Sequence, residues 1–187
     1  FILLYDKIKP IIRMFYANIG KGGQLNMCKN KGKLITISGP AAAGIGTVTK
    51  VLTTEYDNFE IAPITTTREK RDIEDSDRKY YFVTKEDFEK SVAEGKLSEY
   101  VSYAGNYYGT SKESVFSMLD SGINVILAVG YENARKVKEA YPDAITTVVL
   151  SSLDENSIAQ GQNADIILVN QSLKETVEQL VEKIKEF

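Results

Sequence analysis

Two groups of residues in this 187-residue chain have the types and spacing to handle phosphate. The first is GPAAAGIGT, comprising Gly39, Pro40, Ala41, Ala42, Ala43, Gly44, Ile45, Gly46 and Thr47. It lies between a strand-like run, KLITIS, and a helix-like run that begins at Thr47. A phosphate-binding loop of the form G-x-x-x-x-G-K-[ST] sits between such elements because its glycines let successive backbone N–H groups curl around phosphate oxygens. The N-terminus of the helix that follows adds partial positive charge. Gly39 and Gly44 have the right spacing, but Ile45 stands at the lysine position. Such a loop can cradle an anion, yet it lacks the side chain that follows charge onto a transferring phosphoryl group. The second group is Arg68 and Arg71, three residues apart, with tyrosines nearby. Paired arginines of this kind bind a dianionic phosphate through charge-assisted hydrogen bonds. Their bland alternative is a solvated charged face, since EKRDIEDSDRK is rich in both signs.

Other chemistries are excluded by what the chain lacks. It has no histidine, which removes Ser-His-Asp and Cys-His nucleophilic machinery and the common zinc sites. A single cysteine, Cys28, forms no internal disulfide and suits a reducing, cytoplasmic setting. A net charge of -3 argues against a general nucleic-acid binder. No apolar run approaches the roughly 18 residues of a membrane span. We therefore expect no nucleic-acid partner, no membrane partner and no metal site made by the protein alone, while a protein partner stays open.

The elements that must position these residues follow from hydropathy patterning. From Lys33 onward strands and helices alternate, the mark of an α/β fold with a mainly parallel sheet flanked by helices. Leu34–Ser38, Asn124–Val129, Ile145–Leu150 and Asp165–Val169 are short apolar runs suited to strands covered on both faces. Ser172 to Glu186 carries Leu173, Val177, Leu180, Val181 and Ile184 at helical spacing. Between about 65 and 110 the composition shifts to Thr, Arg and Tyr, which points to a small inserted subdomain. It should contain a hairpin turning at Ala104-Gly105-Asn106 and a helix capped by Thr84 and Asp87. Residues 1–30 differ from the rest, with an apolar, basic stretch interrupted by Pro10. They are read as an unassigned N-terminal extension, with Met27 as a natural beginning for the domain.

TTR-x-x-R-x-x-E, then Y-x-F, then E-Y-x-x-x-x-G-N-Y-Y-G-T occur in this order behind the loop. With it, they resemble the guanylate kinase family from about Lys31 to Phe187, weakening near Ser151. The resemblance implies a fold like that of P-loop NTP hydrolases, with a core over 31–64 and 111–187. A GMP-binding subdomain would occupy about 65–110, and the lid would be truncated. It implies transfer of a phosphoryl group from ATP, with Mg²⁺, to GMP. Arg68, Arg71, Tyr80 and Tyr108 would hold the GMP phosphate, and Glu74 would orient the arginines. Glu99 would accept from the guanine N1–H and N2–H₂ edge, with Thr110 bonding the base. Adenine offers no such pair of donors.

Departures from the family pattern are as informative. Its loop lysine is Ile45 and one of its glycines is Ala42. A serine that contacts the GMP phosphate is Ile64. Its D-I-D at the end of the central strand reads Ala128-Val129-Gly130, with Glu132 two residues on as a candidate substitute. The arginine-bearing lid is replaced by SSLDENSIAQGQNA, which has no Arg or Lys. Most of these losses weaken the ATP side or the Mg²⁺–phosphate region; Ile64, and Gly130 where the family's second acid contacts guanine, fall on the GMP side. The expectation is a retained GMP or phosphate pocket without efficient turnover. An active guanylate kinase, a phosphopeptide-binding module and a decaying copy stay open as alternatives.

Overall fold

The computed structural model describes residues 31–71, 79–152, 159 and 161–187. Its centre is a five-stranded, wholly parallel sheet in the order β2-β7-β1-β8-β9. The strands are β1 (Leu34–Ser38), β2 (Phe59–Ile61), β7 (Asn124–Ala128), β8 (Ile145–Leu150) and β9 (Ile166–Val169). Every residue of β1 and β8 is buried, as their unbroken apolar and β-branched sequences require of strands covered on both faces. On one face lie α1 (Ile45–Glu55) and α5 (Leu173–Glu186). Val48 and Leu52 of α1 and Val177, Leu180, Val181 and Ile184 of α5 pack there on Ile35, Ile37 and Ile126. On the other face, Val115 of α3 (Lys112–Asp120) and Val137 of α4 (Tyr131–Ala140) pack on Leu34, Val125 and Leu127.

A second sheet, in the order β4-β3-β6-β5, stands beside the carboxyl ends of β2 and β7. It consists of β3 (Ile64–Thr66), β4 (Tyr80–Phe82), β5 (Leu97–Tyr103) and β6 (Asn106–Ser111). Ala104 and Gly105, both at positive φ (50° and 77°), make the two-residue turn whose twist matches the β5–β6 hairpin. Helix α2 (Lys85–Ala93) covers the far face of this sheet. Thr84 caps it reciprocally, accepting from the Asp87 N–H at 3.1 Å and donating to the Asp87 carboxylate at 2.9 Å. Phe88 of α2 is buried, stacked on Tyr107 at 5.3 Å between centroids and edge-on to Tyr100.

Several boundaries differ from the sequence expectation, among them the end of β7, at Ala128 rather than Val129, and the start of α5, at Leu173 rather than Ser172. Helix α1 begins at Ile45 rather than Thr47, because Gly44 takes a left-handed conformation (φ 82°) and serves as its N-cap. Strand β9 begins at Ile166 rather than Asp165, whose carboxylate is engaged by Thr146 and Lys138. The shortened lid expected after Leu150 falls mostly on residues 153–158 and 160, outside the described residues. Among those described, no helix is long and apolar enough to cross a membrane.

Candidate functional site

Alternation along β3–β6 sends every second side chain away from Phe88 and toward the main sheet. The pairing register then lines up particular residues across four strands. Tyr80 pairs with Ile64, Ile64 with Thr110, and Thr110 with Glu99. Phe82, Thr66, Tyr108 and Val101 form the next row. Three of the substrate-binding residues expected from sequence, Tyr80, Glu99 and Thr110, thus stand in one line, with Tyr108 in the neighbouring one. Gly109 is the close approach that lets the strands meet: a Cβ there would lie 2.9 Å from the Glu99 carbonyl oxygen and from the Tyr100 Cβ.

Between this face and the carboxyl ends of β2 and β7 runs a cleft of about 270 Å³. Ile64, Val101, Leu127 and Val129 give it largely apolar walls, and Glu99 and Thr110 lie at its polar end. Glu99 Oε1 accepts from the Thr110 hydroxyl at 2.9 Å, and Oε2 accepts from Asn133 Nδ2 at 2.9 Å. Burial pushes the Glu99 pKa above the usual carboxylate range, and the hydrogen bonds from Thr110 and Asn133 only partly offset it. No cation is among the causes of the shift. With one protein donor on each oxygen, the carboxylate keeps spare acceptor sites, which a ligand edge carrying two N–H groups would fill.

At the opposite end of the row, Arg68 lies over two rings of β4. Its guanidinium carbon is 4.7 Å from the Tyr80 centroid and 5.2 Å from that of Phe82. The threonines before it hold the approach. Thr66 donates its hydroxyl to the Tyr107 carbonyl at 2.9 Å, and the Tyr107 N–H donates to the Thr67 hydroxyl at 2.9 Å. The Arg68 N–H in turn donates to Thr66 Oγ1. Arg68 and Tyr80 are brought together; Arg71 is exposed at the edge of the described residues, and Glu74 lies outside them.

The loop Gly39–Thr47 is built and braced, though differently from a loop awaiting a phosphate-following side chain. The Ala43 N–H donates to the Pro40 carbonyl at 3.2 Å, and Asn170 Nδ2 donates to the Ala43 carbonyl at 2.9 Å. A Cβ on Gly39 would collide with the Val149 carbonyl oxygen, so only glycine allows β1 to leave the sheet here. Ala42 sits at φ 66°, where an L-residue costs roughly 1–2 kcal/mol. Ile45 packs against the main core instead of reaching out. Gly46 and Thr47 are exposed, and no acidic side chain lies in the first turn of α1. The backbone N–H groups of that turn, free of an intrahelical partner, are the loop's remaining anion-binding equipment.

Ala128, Val129 and Gly130 line the cleft and carry no charge toward it. Glu132, the candidate substitute, reaches the cleft's lining from α4, but its side chain is 80% exposed and paired to Arg135 at 3.3 Å. Among the described residues no group of three acidic, histidine or cysteine side chains could hold a metal ion. The described residues therefore offer no all-protein cage for Mg²⁺, an ion that ordinarily takes one or two carboxylates together with substrate phosphates.

Comparison with known proteins decides the family. Residues 31–158 match the family model described as guanylate kinase. The chain belongs to the guanylate kinase family. It is 37% identical over 144 residues to a guanylate kinase of Carboxydothermus hydrogenoformans, covering 75% of this chain and 71% of that protein. It is 44% identical over 120 residues to that of Clostridium acetobutylicum, where the match covers 57% of the relative. The chain thus spans little more than half the length of several of the curated relatives it matches. A crystal structure of guanylate kinase from Anaplasma phagocytophilum shares the fold, with a TM-score of 0.65 at 22% identity over 84% of this chain and 86% of that one.

Within the guanylate kinase frame, the sequence reading missed Asn133 and Asn170. Asn133 is 8% exposed and touches Glu99; Asn170 clamps the loop. Neither belongs to a motif read from the sequence. The one available signal for Asn133 is a polar residue at a position facing the core on an otherwise amphipathic helix.

Proposed function

We propose that this chain is a guanylate-kinase-like nucleotide-binding protein that takes GMP in the cleft and does not transfer phosphate from ATP efficiently. The observation that carries the reading is the row running from Tyr80, beneath Arg68, to the half-buried, cation-free carboxylate of Glu99. In this reading Arg68 and Tyr80, with Arg71 and Tyr108, hold the 5′-phosphate. Glu99 accepts from guanine N1–H and N2–H₂, with Thr110 keeping the carboxylate in place. Glu74 orients the arginines.

Phosphoryl transfer rests on positioning and on stabilising charge that develops on the transferring group. Here the groups expected to do so are apolar: Ile45 packs into the core and Ala128 ends β7. Losing one preorganised donor commonly costs about 3 kcal/mol, or about 10²-fold in rate. Such losses are not additive, but two on the same transition state predict turnover near background. Gly39–Thr47 keeps backbone donors for a weakly held ATP phosphate, without Mg²⁺ bound by carboxylates of the protein. The cytoplasmic setting expected from the lone Cys28 belongs to the same proposal.

A coupled assay of ADP formation from ATP and GMP, with calorimetry of each nucleotide alone, tests this reading. Expected are weak GMP binding, weaker ATP binding and no robust turnover. Turnover at the rate of an intact family member would establish an active kinase instead. Tight, Mg²⁺-dependent ATP binding would contradict the account of the loop, and failure to bind any phosphate ligand would favour a decaying copy.

A further inference from the structure

Glu99 is read by two protein donors from different parts of the fold. Thr110 approaches Oε1 from the adjacent strand, while Asn133 approaches Oε2 from α4, a helix of the main sheet. Asn133 Nδ2 also donates to the Tyr100 carbonyl at 3.2 Å. Both neighbours are acceptors, so the amide orientation is fixed and both of its hydrogens are spent inside the protein. A carboxylate offers about four lone-pair sites. One donor on each oxygen holds the group against rotation and leaves about one site per oxygen for a ligand.

We propose that Asn133 is a positioning residue for guanine readout: its amide holds the Glu99 carboxylate aligned and ionised, as a permanent internal donor beside the two that the base supplies. This rests on the GMP reading above, which assigns no role to Asn133. Without the amide, burial acts on Glu99 with Thr110 alone against it. The carboxyl then keeps its proton to higher pH and turns an O–H toward a ligand edge made of donors. The ionisable side chains facing Glu99 across the cleft are Tyr108 on β6 and Glu132 on α4, the latter turned to Arg135. Neither is among the causes of the Glu99 shift, and no group of α2 or α3 is either. Among the described residues Asn133 is therefore the one contact from the main-sheet half of the fold that adjusts Glu99.

The test is Asn133→Leu, which fills similar space without donating. GMP affinity is measured by calorimetry between pH 5 and 9, and the Glu99 carboxyl titration is followed by carbon NMR without ligand. The expected result is about a tenfold loss of affinity near pH 7, consistent with one charge-assisted hydrogen bond. That loss should recover toward wild type at high pH, with the Glu99 midpoint moved upward. A loss equal at every pH, or an unmoved Glu99 midpoint while wild-type GMP binding is intact, overturns the role of Asn133 alone. If the wild-type chain binds no GMP, the readout itself is refuted and this role falls with it, whatever the NMR midpoint shows. Asn133→Ser, whose hydroxyl is too short to span the gap, carries the same expectation if the leucine variant does not fold.

Discussion

The face of the second sheet and the loop at the end of β1 are two halves of one family site, and they have been treated differently. On the sheet, the polar groups other than the one replaced by Ile64 stay polar and are supported: Thr66 and Thr67 brace Arg68, and Thr110 and Asn133 brace Glu99. At the loop, the position expected to carry charge is apolar and the braces hold shape only. Asn170 ties down Ala43, Gly39 presses on β8, and Ile45 joins the core. Holding a loop's shape and placing a charge on it are thus separable demands. This loop is held in its geometry by packing and backbone contacts, with an apolar side chain at the lysine position.

The contrast breaks most readily at Glu99. Glu99→Gln should lower GMP affinity by about 10²-fold or more, since it removes charge from two charge-assisted hydrogen bonds. Its effect on the unliganded fold should have the opposite sign. Burial raises the folded pKa of Glu99 above its unfolded value, so the folded state binds that proton more tightly. The stability of the unliganded protein should then fall as pH rises from the ordinary carboxylate range through the folded value. Thermal unfolding should show Glu99→Gln at least as stable as wild type at neutral pH; a clear loss of stability there would mean that Glu99 is a structural residue. GMP itself should bind more weakly as pH falls through the same range.

Arg68→Ala comes next, with about a tenfold to 10²-fold loss of GMP affinity and little change for guanosine, which has no phosphate. An equal loss for both ligands would move Arg68 out of the phosphate end. A smaller effect is expected from Ile45→Lys, which should raise turnover less than about tenfold because Ala128 and Gly130 stay uncharged. Recovery to a family-level rate would show that one residue separates the two halves. The smallest effect is Ala42→Gly, which should stabilise the fold by about 0.5–1 kcal/mol in denaturant unfolding by relieving the positive φ. A destabilised Ala42→Gly would mean that the loop relaxes elsewhere.

Much of this arrangement is legible in the sequence where one local rule suffices. The apolar runs of β1 and β8 declare strands covered on both faces, and the spacing of Val177, Leu180, Val181 and Ile184 declares the buried side of α5. Ala104-Gly105 announces the hairpin through turn chemistry. The row from Tyr80 to Glu99 is not legible that way. It depends on β3 pairing with β4 in parallel and with β6 antiparallel, a long-range register that no local pattern encodes. Asn133 and Asn170 escape for a related reason, since each acts on a partner brought near only by the finished fold. The inward turn of Ile45 follows from α1 starting two residues earlier than the hydropathy pattern suggests.

The cross-strand row also acts as a caliper. Tyr80 and Glu99 are separated by three inter-strand steps, each about 4.8 Å, so the two anchors stand about 14 Å apart at the backbone. Hydrogen bonding in the sheet fixes that span, and no side-chain motion can change it much. A molecule must therefore match two chemistries at a set separation to engage both ends at once. A bare base or a free phosphate meets one anchor only, and length becomes a criterion of selection alongside charge and hydrogen-bonding pattern.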